Sequence, residues 1–135
     1  MARILAIDYG KKRTGIAVTD PLQIIATGLE TVPTENLITW LQAYVKAEEV
    51  ERIIVGDPKH PDGNPAQLAP EIHLLAARMA KLWPSIPIIL HDESYSSVRA
   101  KELILQSGAK QKKRRDKALV DKIAALVILQ DYLGY

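Results

Sequence analysis

The feature that most constrains this chain is a change of period about a quarter of the way along it. Up to residue 32 the apolar residues come in short runs joined by tight links. Beyond it, apolar runs alternate with stretches of helical spacing. Residues 3–8 (RILAID) and 14–19 (TGIAVT) read as strands, and Gly10-Lys11-Lys12 between them is short enough for a hairpin. Residues 23–32 (QIIATGLETV) give a third strand after Asp20-Pro21, which completes an antiparallel meander. Thr34 is placed to cap a helix whose apolar positions are Leu37, Ile38, Leu41, Tyr44 and Val45. Residues 52–56 (RIIVG) form a fourth strand, and the Pro-, Asp- and Gly-rich stretch 57–65 is a loop. A helix over 67–82, a fifth strand over 86–91 and a helix over 97–106 ended by Gly108 follow. The final helix spans 116–133.

Strands separated by helices pair in parallel through right-handed crossovers. The expected architecture is therefore α/β. Three antiparallel strands are followed by βαβ units in a mixed five-stranded sheet, with helices on both faces. That is the arrangement of the ribonuclease H-like fold. At 135 residues it is expected as a single domain over 1–135. The absence of cysteine excludes disulfides, thiol nucleophiles and thiolate metal sites. No apolar run approaches the roughly 20 residues of a membrane span, and no signal peptide is expected before the first strand. A cytoplasmic protein without a membrane partner is expected.

The formal net charge is only +2, but its distribution is uneven. Of the 18 Lys and Arg, six fall in Lys110–Lys117 (KQKKRRDK) beside one of the 16 acids. The rest carries 12 basic residues against 15 acidic ones. Such a patch suits a polyanion, although a solubilising loop would look the same.

Three acidic positions sit where local structure does not require them. Asp8 ends the first strand, in a place an Asx turn could also explain. Asp92 and Glu93 follow IPIIL, and strand alternation lets only one of the two share a face with Asp8. Asp121 lies on the stripe of Ala124, Ala125, Ile128 and Tyr132, where a carboxylate needs a partner; Lys117 and Lys122 compete for that role. Acids from two strands and a helix at one sheet edge suit Mg²⁺ or Mn²⁺. Two such ions favour in-line phosphoryl displacement.

Several stretches together resemble the YqgF/RuvX family of ribonuclease H-like nucleases. They are Asp8-Tyr9-Gly10-Lys11-Lys12-Arg13-Thr14-Gly15 with Ile16-Ala17-Val18, and Ile54-Val55-Gly56-Asp57-Pro58 with Asp62-Gly63. His91-Asp92-Glu93 and the C-terminal KKRRDKALVDKIAALVILQDYL complete the set. The resemblance implies a catalytic triad of Asp8, Glu93 (with Asp92 as its rival) and Asp121, holding Mg²⁺ or Mn²⁺. It implies a cytoplasmic nuclease that matures the pre-16S rRNA end, with resolution of four-way DNA junctions as the alternative. Lys11, Lys12, Arg13, Lys112, Lys113, Arg114 and Arg115 would contact nucleic acid, and Gly56, Asp62 and Gly63 would shape a substrate loop. Ser94 stands where most members have Arg, and Asp57 where an apolar residue is commoner. The chain is expected as a monomer or weak homodimer. Two other classes compete. One is a non-catalytic RNA-binding ribosome-assembly factor using the basic segment alone. The other is a nucleotide-binding module, since Asp8-x-Gly-x-x-x-x-Gly15 resembles the phosphate loop of the actin and sugar-kinase superfamily.

Overall fold

A computed structural model of the chain describes residues 2–57, 69–92 and 117–134. Strands β1 (Arg3–Asp8), β2 (Arg13–Thr19), β3 (Ala26–Pro33), β4 (Val50–Asp57) and β5 (Ile88–Asp92) form one sheet in the order β3-β2-β1-β4-β5. The β1–β2 and β2–β3 pairs are antiparallel, and β1–β4 and β4–β5 are parallel. This is the expected mixed sheet, with β1 at its centre. The helices are α1 (Leu37–Ala47), α2 (Ala69–Leu82) and α3 (Lys117–Leu133). The helix expected over 97–106 lies outside the described residues.

Strand alternation divides the core in two. Leu5 and Ile7 of β1 join Ile16, Ile53 and Val55 on the side covered by α1 and α2, with Leu37, Leu41, Ile72 and Met79. Ile4 and Ala6 join Ala17 and Ile54 on the other side, beneath Ala125, Ile128 and Leu129 of α3. Both sides of β1 are therefore dry, which accounts for its nearly unbroken apolar run. Ala124 and Ala125 let α3 lie low on the sheet, and Gly28 does the same from the strand side. A Cβ at Gly28 would come within 2.9 Å of Lys122 Cγ.

Two local expectations fail, one to a local turn and one to a long-range hydrogen bond. Strand β3 starts at Ala26, not Gln23, because residues 20–25 form a tight turn instead. The Asp20 carboxylate accepts the N–H groups of Ile24 (2.7 Å) and Ile25 (2.9 Å), and Gln23 sits in the left-handed region at φ 59°. The turn leaves Leu22, Ile24 and Ile25 at 56%, 62% and 62% exposure. Thr34 does not cap α1. It opens a 3₁₀ turn, Thr34–Asn36, and its hydroxyl donates instead to the Gly10 carbonyl at 2.6 Å.

Candidate active site

Asp8 is the last residue of β1, half-buried and paired across the sheet with Gly15. By alternation it shares the α3 side with Ile4 and Ala6. The turn that follows is held tightly. A Cβ at Gly10 would collide with the Arg13 carbonyl oxygen, so the chain can double back here only without a side chain. The first residues before α1 pin the turn from outside. Thr34 N–H donates to Lys12 O at 3.0 Å. The single Thr34 hydroxyl proton goes to Gly10, so Thr14 donates in the 2.9 Å hydroxyl pair between them. Lys11, Lys12 and Arg13 project from this fixed turn, all exposed, beside Asp8.

The C-terminal ends of the parallel strands gather at the same edge, where open α/β sheets bind ligands. Buried Gly56 and then Asp57 end β4, and the Cα of Asp57 pairs with that of Asp92 at the end of β5. Asp57 follows Ile53 and Val55 on the α1/α2 side, and its carboxylate lies 3.3 Å from His73 Nε2 of α2. It is thus an acid of this edge, turned away from the side of Asp8. Asp121 belongs to α3, one residue before the Lys122 that meets Gly28. Glu93, Asp62, Gly63, Lys112, Lys113, Arg114 and Arg115 lie outside the described residues. Among the described residues, no three His, Asp or Glu side chains cluster to hold a metal ion.

The far end of α3 is fastened to the strands that carry this edge. His91 Nε2 lies 2.8 Å from Asp131 Oδ2, and the His91 ring meets Tyr132 edge-on at 5.9 Å. Arg52 of β4 donates to the Tyr132 hydroxyl at 2.8 Å. Helix α3 therefore runs from Gly28 on β3 to His91 on β5, packing against β1 on the way. The sequence reading missed a second group, on the opposite side. Tyr9, next after Asp8, packs against the α1/α2 core, and its phenol donates to the Glu71 carboxylate. Burial first, and then that carboxylate, push the Tyr9 phenol above its ordinary value of 10.0. No short-range sequence signal joins a strand end to a helix 62 residues later.

A family model described as "RuvX: Holliday junction resolvase" matches residues 2–135. The chain belongs to the RuvX family. It is accordingly a nuclease, a hydrolase of phosphodiester bonds. A relative from Porphyromonas gingivalis, named "Putative pre-16S rRNA nuclease", is 50% identical over 98% of this chain and 96% of its own length. One of the same name from Phocaeicola vulgatus is 52% identical with the same coverage. The fold matches a solved structure, "T. thermophilus RuvC in complex with Holliday junction substrate". The TM-score is 0.58 and the identity 20%, over 99% of this chain and 97% of that one. The ribonuclease H-like fold expected for RuvX sequences is the fold of this chain. Among its described residues no helix is long and apolar enough to cross a membrane.

Proposed function

We propose that this RuvX chain is a metal-dependent endonuclease that cuts structured RNA in the cytoplasm, maturing the end of pre-16S rRNA. One observation carries the reading. Asp8 ends the central strand on the side covered by α3, next to a rigid turn bearing three exposed cations. The names of the relatives supply the substrate class.

The candidate ligands are Asp8, Glu93 and Asp121, with Asp92 as the rival of Glu93. The β5 positions on the α3 side are 89 and 91, so position 92 belongs to the other series, which counts against Asp92. A set of carboxylate oxygens fits a hard cation, so Mg²⁺ or Mn²⁺ is the implied metal. Such an ion supplies an activated water and stabilises the leaving oxygen. The chain's own cations have a separate task. Lys11, Lys12 and Arg13, with Lys112, Lys113, Arg114 and Arg115, hold backbone phosphates against an acidic site that would otherwise repel them. Gly56, at the end of β4, is the described member of the substrate loop assigned to Gly56, Asp62 and Gly63.

The same chemistry on a four-way DNA junction is the second reading, favoured by the description of the family model. The two separate in one experiment. A precursor rRNA fragment and a four-way DNA junction are each incubated with Mn²⁺ and with chelator. The expected result is metal-dependent cutting of the RNA, reduced at least about a thousandfold in Asp8→Asn. Without divalent ions that variant should melt at or above the parent's temperature, since removing one of several crowded acids relieves repulsion. Undiminished cutting by Asp8→Asn would overturn the site. Growth rescue by the same variant would return the chain to a non-catalytic assembly role.

A further inference from the structure

On the side of the sheet away from α3, helices α1 and α2 leave a cleft of about 700 Å³ between them. That volume lies in the range of small-molecule sites, roughly 300–1,000 Å³. Its two walls carry apolar side chains, Ile38 from α1 and Leu74 and Leu75 from α2. Leu74 is 72% exposed, so the α2 wall presents an open apolar ledge. Gln42 and Glu71 add acceptors, and the phenol of Tyr9 fixes the carboxylate of Glu71. Lys11 and Arg78 supply positive charge, balanced by Glu71 and Glu35. A charge-balanced cleft with apolar walls is a poor trap for bare phosphate. It suits a group with an apolar face, polar N–H edges and a phosphate on its flank.

The position of the cleft is the second observation. Successive side chains of a strand lie on opposite sides, so Asp8 serves the α3 side and Tyr9 the cleft. Their Cα atoms are one step of about 3.8 Å apart. A nucleic-acid strand with a phosphate at the Asp8 end of β1 and a neighbouring phosphate on Lys11, which lines the cleft, would pass the mouth of that cleft. A paired base cannot enter, because its face is stacked and its N–H edge is occupied.

We infer that this cleft between α1 and α2 takes one unpaired, amino-bearing base of the substrate strand, adjoining the phosphate at Asp8. The base lies on the Leu74–Leu75 ledge. Its exocyclic amine donates to Glu71, as guanine, cytosine and adenine can and uracil cannot. Arg78 pairs with the phosphate beyond it. The inference rests on the nuclease reading and adds a substrate requirement to it: an unpaired nucleotide beside the cut.

Binding of the full-length chain in chelator, where cutting is blocked, tests this. Two RNA hairpins are compared, one fully paired and one with a single bulged cytidine or guanosine. The parent should prefer the bulged hairpin by about tenfold, and a bulged uridine, which has one ring N–H donor and no exocyclic amine, should keep less of that preference. Leu74→Glu changes an exposed position and so leaves the fold intact, while Glu71→Ala removes the acceptor. Each should abolish the preference and keep parental affinity for the paired hairpin. Equal binding of the two hairpins by the parent, or a preference unchanged in both variants, would overturn the inference alone. Failure of the parent to bind either hairpin would overturn the RNA reading and this inference with it.

Discussion

Asp20 shows how much one side chain fixes at the residue scale. Its carboxylate accepts two backbone N–H groups of a turn whose fourth residue, Gln23, stands in the left-handed region. The hydrogen bond from Ile25, the larger influence, and that from Ile24 hold the Asp20 carboxyl below its ordinary value of 3.8. A depressed folded-state value stabilises the fold above the unfolded value, and that contribution is lost as pH falls through the folded one. Asp20→Ala should therefore melt below the parent at pH 7. The gap between the two should narrow steadily below pH 3.8, which a series of thermal melts from pH 7 to pH 2 would show. The position of Asp8 at the end of the central strand was legible in the sequence because an acid closing an apolar run is locally out of place. Tyr9 was not, since its partner Glu71 is set by the crossing of a strand and a distant helix. Asp57 was visible only as a departure from the family pattern. Its pairing with Asp92 and its approach to His73 need the sheet register.

At the scale of elements, period and punctuation located five strands and three of the helices within a few residues. The errors fall where the expected signal had a stronger competitor, local in one case and tertiary in the other. QII reads as strand but is turned by Asp20, and Thr34 reads as a cap but serves the Gly10 carbonyl. The helix–strand packing least visible in the sequence is the seating of α3 on β3 at Gly28. A small residue there has a measurable consequence. Lys122 Cγ can yield to an alanine, but its carbonyl oxygen, 3.4 Å from the Cβ position, belongs to the helix backbone and cannot. Gly28→Val should lift this end of α3 and cost about 1–3 kcal/mol in urea denaturation, against a smaller loss for Gly28→Ala.

At the scale of the whole molecule, a net charge of +2 conceals a chain that is mildly acidic apart from residues 110–117. Replacing Lys112, Lys113, Arg114 and Arg115 with Ala should weaken RNA binding and flatten its salt dependence. The slope of log affinity against log salt should fall by roughly 0.7–0.9 for each phosphate that is no longer neutralised. A titration with Asp8→Asn, which binds without cutting, measures that slope, and an unchanged value would remove the segment from the binding surface. The strand order has a consequence in time as well as in space. The β1–β3 meander needs only local pairing, whereas β4 and then β5 add by longer loops. The face that α3 covers includes Ile4, Ala6 and Ala17, which precede the helix in the chain by about a hundred residues. A nascent chain can thus form the strand ending in Asp8 long before it owns the helix above it. Until residues 117–133 have emerged and docked, that face stays greasy and open, and the chain is vulnerable to chaperones and proteases.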